Sequence, residues 1–153
     1  RQLPMNITKI MELIQTVIED SKTAVLASVD ESGFPFTRWV TPGCVNERTG
    51  VIYIVSDSNS SKVKQLSNNP KASMMFQTKT LNDIVTVQGK VNIIKNPSVL
   101  AETLEGLGKN LHAFWKLENE NRELVVLEFI IEEAGYYQPL RGKKESISFK
   151  SEV

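Results

Sequence analysis

The stretch Val51-Ile-Tyr-Ile-Val-Ser56-Asp-Ser-Asn-Ser60-Ser61-Lys62-Val-Lys-Gln-Leu66-Ser-Asn-Asn69-Pro70-Lys-Ala72 changes character twice in a short run, and the rest of the chain is read outward from it. Val51 to Val55 is apolar and β-branched with one aromatic residue, as a buried strand is. A polar loop follows and opens a short helix that turns Val63 and Leu66 inward and stops at Asn68-Asn69-Pro70. A helix start presents unpaired backbone N–H groups and a partial positive charge; Ser60, Ser61 and Lys62 add two hydroxyls and an ammonium there. The combination suits a phosphomonoester. An ordinary helix cap, with Ser60 capping and Lys62 in solvent, uses the same residues, and the local sequence leaves both readings open.

Upstream, Ile7, Ile10, Met11, Ile14, Val17 and Ile18 recur every three or four residues, a packing helix that ends near Asp20-Ser21. Thr23 to Val29 is a buried strand, Asp30-Glu-Ser-Gly33 a turn, Pro35 to about Val45 a second strand, and Asn46 to Gly50 a further turn. Downstream, Ala72 to Phe76 and Ile84 to Ile94 read as strands, the second bent or bulged at Gly89. Asn96-Pro97 restarts helix, lined by Leu100, Leu104, Leu107 and Leu111 and broken at Gly106 and Gly108. Glu123 to Ile131 is a final strand, apolar on both faces as at a subunit or sheet interface. Antiparallel hairpins with helices outside give an α+β class, mainly β: a closed or nearly closed barrel. One domain over residues 1–140 is expected, followed by a polar, disordered tail over 141–153.

The chain of 153 residues balances 18 Lys and Arg against 18 Asp and Glu, so a strong non-specific pull toward nucleic acid or anionic lipid is not expected. Apolar runs are strand-sized, which favours a cytoplasmic protein. Cys44 and His112 are the only residues of their kinds, too few for a disulfide framework or a zinc site. Cys44 reads as a small buried apolar residue and His112 as helix surface or core.

Thr37-Arg38-Trp39-Val40 sets an arginine, which can fork onto phosphate, beside the largest aromatic residue. Alone, the pair reads as a surface arginine next to a core tryptophan. Taken together, Gly33-Phe-Pro-Phe-Thr-Arg38-Trp-Val40, Val51 to Ser56, and Ser60-Ser-Lys62 through Asn69-Pro70-Lys-Ala72 resemble the FMN-binding split barrel of the pyridoxamine 5′-phosphate oxidase superfamily, in its short general-stress-protein-26-like branch. The resemblance spans residues 7–95 and continues more weakly to Pro139.

The resemblance implies an antiparallel split β-barrel with flanking helices and FMN as cofactor. Arg38, Lys62 and Ser61, with Ser60, would meet the phosphate; Trp39 and Val40 would lie along the isoalloxazine through their backbone; Val55 and Ser56 match further flavin contacts. It also implies a homodimer with the cofactor between subunits, Trp115, Tyr136 or Tyr137 reaching across. Asp83 stands where the oxidases carry a glutamine near the cofactor, so that contact meets an anion. Gly43 stands where they carry a lysine, and that contact is missing. The tryptophan and arginines with which those oxidases grip pyridoxamine phosphate have no match after Tyr137. The expected function is therefore an FMN-dependent oxidoreductase on an unidentified small substrate. Two alternatives are a module that stores or senses flavin, heme or deazaflavin without turnover, and a barrel serving only as a dimerisation scaffold.

Overall fold

In the computed structural model, which describes residues 5–45, 48–107 and 123–150, the first helix α1 runs Ile7–Ser21. Asn6 caps it by accepting from Lys9 N at 2.9 Å, and Lys22 ends it in the left-handed region at φ 63°. The stripe Ile10, Met11, Ile14, Val17 and Ile18 is buried, as the spacing requires.

Eight strands follow: β1 Ala24–Val29, β2 Pro35–Val40, β3 Pro42–Gly43, β4 Val51–Asp57, β5 Lys71–Gln77, β6 Ile84–Ile94, β7 Leu124–Gln138 and β8 Lys143–Ser148. Helix α2 is Ser61–Asn68 and α3 is Pro97–Leu107. The strands form one antiparallel sheet in the order β2-β1-β5-β6-β7-β4-β3, with β8 pairing β7 off that path. The two ends of this order, β2 and β3, are separated along the chain only by Thr41. A sheet whose outermost strands are almost contiguous in sequence must curl back on itself, which makes this a split barrel.

That crossing corrects the expected single strand from Pro35 to Val45. The chain leaves β1 at Val40 and joins β4 at Pro42, where the register pairs Pro42 with Ile54. Pro42 has no N–H for a continuous ladder, so the interruption falls where the chain changes partner.

Strand β7 is the longest, 15 residues against the expected nine or so from Glu123 to Ile131. It pairs β6 along one edge; along the other it pairs first β4, then β8. Opposite Gln88 and Gly89 the register shifts, leaving Glu132 as the extra residue of a bulge. The bulge lets Ile131 and Ala134 both face the core. It also brings the Ile130 carbonyl so close to Gly89 that a Cβ there would lie 2.0 Å from it.

The main core fills the barrel and takes in α1 and α2, with Leu26, Ile54, Phe76, Val87, Leu127 and Phe129 at its centre. A second cluster lies outside, where Leu100 and Leu104 of α3 cover Val51, Tyr53, Val55, Ile94 and Val126. Both faces of the β4–β7 pair are thus buried within one chain. This accounts for the doubly apolar pattern expected at a subunit or sheet interface.

The polar segment after Arg141 is not a disordered tail as far as Lys150. A 3-10 turn over Pro139–Arg141 and Gly142 at φ 60° reverse the chain, and Lys143–Ser148 pairs with Glu133–Gln138. Its side chains are mostly exposed, so hydrophobicity could not announce it; backbone pairing to a long neighbour holds it. Helix α3 continues through Gly106 to Leu107 rather than breaking there. Gly108, Leu111, His112 and Trp115 lie outside the described residues.

Candidate phosphate site

Strand β2 pairs with β1 so that Leu26 faces Arg38 and Ser28 faces Phe36. Because the side-chain period of a strand is two, Arg38 shares the inner face with Leu26 and Ser28. There its guanidinium is half-buried. Nη1 donates to Ser28 Oγ at 2.7 Å and to the Leu26 and Phe36 carbonyls at 3.2 Å each; Nη2 donates to Gln65 Oε1 at 3.1 Å. Ser28, 1% exposed, donates its own hydroxyl proton to Gln65 Oε1. Helix α2 thereby reaches β1 and β2 through Gln65, while Val63 and Leu66 anchor it to the core.

The start of α2 is shaped by Asp57. Its carboxylate accepts from Asn59 N at 2.9 Å, and its carbonyl from Ser60 N at 3.1 Å. Ser60 occupies the N-cap position but makes no side-chain cap hydrogen bond; its hydroxyl faces Ser56 Oγ at 3.1 Å instead. The simple capping reading therefore does not describe Ser60, and the helix start keeps donors uncommitted by a serine side chain. Ser61 is exposed at the first helical position and Lys62 is half-buried beside it.

Two cations meet here. Burial, and then the Arg38 guanidinium, pull the Lys62 ammonium below the ordinary lysine range, and Asp57 opposes them in part. Burial lowers the pKa of Arg38 too. Neither cation has a carboxylate within salt-bridge distance among the described residues. Two partly desolvated like charges beside a helix N-terminus form a pocket of positive potential, and a doubly charged anion relieves both the desolvation and the repulsion.

The other expected contacts are distributed differently. Trp39 is on the outer face and 67% exposed, so the local reading of it as core fails: β2 is at the end of the sheet order, and no described element covers its outer side. Val40 and Val55 are buried, which leaves only their backbone to meet a ligand, and Ser56 is buried with its hydroxyl turned to Ser60. Asp83 accepts from the Tyr136 hydroxyl, and burial followed by this contact raises the tyrosine's pKa well above normal. Tyr137 stacks under Lys144, whose ammonium is 5.0 Å from the ring centre. Cys44 is half-buried against the core, its thiol pushed up to about 11 by burial, as expected of a packing residue. Ser28 and Gln65 were missed by sequence reasoning. Only the tertiary contact of α2 with β1 makes them part of this site, and no local pattern signals it. An open cleft of about 640 Å³ between the Asp30–Ser32 turn and α2 touches the site at Ser61 and Gln65 alone.

The Arg38 guanidinium lies near the Lys62 ammonium at the start of α2, where Ser61 adds a hydroxyl and the helix its first amides; donors of these kinds suit a phosphomonoester.

Comparison with known proteins bears on the family and the fold. A family model described as pyridoxamine 5′-phosphate oxidase matches residues 10–138. The pyridoxine/pyridoxamine 5′-phosphate oxidase of Pelagibacter ubique is 36% identical over 85 residues, 56% of this chain and 40% of that enzyme. The Escherichia coli K12 enzyme is 34% identical over 83 residues, 54% of this chain and 37% of its own length. The chain thus spans only about two fifths of these relatives. Among solved structures, general stress protein 26 from Bacillus anthracis superposes with TM-score 0.67 at 20% identity, covering 90% of this chain and 98% of the other. A pyridoxamine 5′-phosphate oxidase-related, FMN-binding protein from Nostoc punctiforme gives 0.68 at 12%, covering 92% and 96%. A heme-binding protein from Mycobacterium smegmatis gives 0.73 at 16%, covering 96% and 60%. At these identities the structural likeness establishes the fold.

Proposed function

We propose, from the premise that this chain belongs to the pyridoxamine 5′-phosphate oxidase family, that it is a flavoprotein that holds FMN by its phosphate at Arg38, Lys62 and Ser61. The observation that carries this reading is the approach of two partly buried cations, Arg38 braced only by neutral oxygens, at the start of α2. FMN, when bound, supplies the redox chemistry of its ring; the protein's part is to fix the phosphate, lay the ring along β2 and exclude water. The chemical role that follows is that of an oxidoreductase acting on a small substrate.

The chain also works as a homodimer in this proposal. On the outer face of the sheet, Val25 of β1 pairs with Trp39 on one side and Met75 on the other, and Trp39 and Met75 are 67% and 44% exposed. A second copy seated on that row covers it and closes the groove along β2, where the ring is to lie.

The test is direct. Saturating FMN should raise the melting temperature of the wild type, by about 2.7 kcal/mol of stabilisation at one hundred times Kd. The double variant Arg38→Ala, Lys62→Ala should lose most of that gain, measured against its own ligand-free melt, which the loss of the Arg38 hydrogen bonds lowers. An unshifted wild type sinks the proposal. Mass analysis of any cofactor extracted from fresh protein separates flavin from heme.

A further inference from the structure

Arginine has five N–H donors in a rigid plane, and a ligand can use only those that the protein leaves to it. At Arg38 the protein claims one end of the guanidinium. Nη1 has two hydrogens for Ser28 Oγ at 2.7 Å and for the Leu26 and Phe36 carbonyls at 3.2 Å; Nη2 gives one hydrogen to Gln65 Oε1 at 3.1 Å. Ser28 and Gln65 are themselves hydrogen-bonded, so together they bridge the Nη1–Nη2 end. Two donors remain, Nε–H and the second Nη2–H, which point the same way along one side of the fork. They find no acceptor among the described residues.

All four acceptors are uncharged, and the choice of glutamine at position 65 matters for that reason. A carboxylate there would hold the guanidinium equally well and cancel its charge; an alkyl side chain would preserve the charge and let the group turn. Gln65 does neither. We infer that Gln65, steadied by the buried Ser28 hydroxyl, is the positioning residue that makes this site selective for a phosphomonoester dianion. It pins Arg38 by one end at full charge and leaves the Nε–Nη2 side to grip two phosphate oxygens next to Lys62. The inference rests on the phosphate-site reading above and adds a residue and a selectivity to it: FMN is preferred over riboflavin because of Gln65 as well as the two cations.

The experiment measures FMN and riboflavin affinities by quenching of flavin fluorescence, and thermal protection by inorganic phosphate, in the wild type and in Gln65→Glu, Gln65→Leu and Ser28→Ala. Gln65→Glu keeps both accepted hydrogen bonds. It should weaken FMN roughly ten- to one hundredfold, the weight of a charge-assisted contact, while riboflavin changes less than about twofold. Gln65→Leu and Ser28→Ala should lower the FMN-to-riboflavin ratio in the same direction, and they replace Gln65→Glu if that variant fails to fold. Equal weakening of both flavins, or no change in either, makes Gln65 a packing residue and overturns the inference. Should phosphate protect the wild type while FMN does not, the flavin reading falls and the inference stands only if Gln65→Glu abolishes the phosphate protection. If neither protects, both fall.

Discussion

Lys62 carries its charge in a place that disfavours it, because burial and the nearby Arg38 both lower its pKa. An ordinary lysine titrates near about 10.4. The affinity of the site for phosphate should therefore be flat through neutral pH and fall at a lower alkaline pH than an exposed lysine would produce. Below about pH 6 it should fall for a second reason, as the phosphate gains a proton. The folding linkage has the opposite slope. Between the lowered pKa and the ordinary one the unfolded chain holds a proton that the native state has released, so the ligand-free protein gains stability there as pH rises. Replacing Lys62 with arginine should shift the alkaline loss of FMN affinity beyond the range of the titration. A fluorescence titration in which wild type and Lys62→Arg decline together would show that another group is responsible.

Among the elements, the β6–β7 pairing carries the geometry. The bulge at Glu132 keeps the inward alternation in step on both sides of it and depends on the two backbones touching at Gly89. A methyl group there meets the Ile130 carbonyl, a backbone atom with nowhere to retreat. Gly89→Ala should cost roughly 1–3 kcal/mol, typical of overpacking. At about 2–4 °C per kcal/mol for a chain of this size, the melting temperature should drop by several degrees. An unchanged melt would mean that the two strands can part at that point. On the opposite face, Glu128 accepts from Tyr53 at 3.3 Å and pairs with Arg48 at 3.0 Å, tying the β4–β7 pair to the loop that enters β4. Arg48 is mainly exposed, so the pair works more as a satisfied buried carboxylate than as a source of stability.

At the scale of the whole molecule, the outer row of Trp39, Val25 and Met75 is the face that a second copy is proposed to cover. Light scattering should give twice the chain mass at micromolar concentration. Trp39→Glu, which places a charge in the row, should yield a monomer with weakened FMN binding, because the groove along β2 loses its second wall. A wild type that is monomeric yet binds FMN with full affinity would end the proposal of a shared site.

The chain by itself determined the elements that carry strong periodicity or punctuation: the stripe of α1, the buried strands around Leu26 and Ile54, the Ser-Ser-Lys start and Asn-Pro stop of α2, and the bend at Gly89. These are local signals. Each depends on a side-chain period or on the restricted backbone of proline and glycine, which neighbouring residues alone are enough to express. The tertiary structure alone decided that the strand after Pro35 changes partner at Thr41, that the polar end forms β8, and that Trp39 faces outward. It also decided that Gln65 and Ser28, 37 positions apart, close on Arg38. Partner choice in a sheet and burial of a polar side chain depend on groups distant in sequence. No window along the chain contains both members of such a pair.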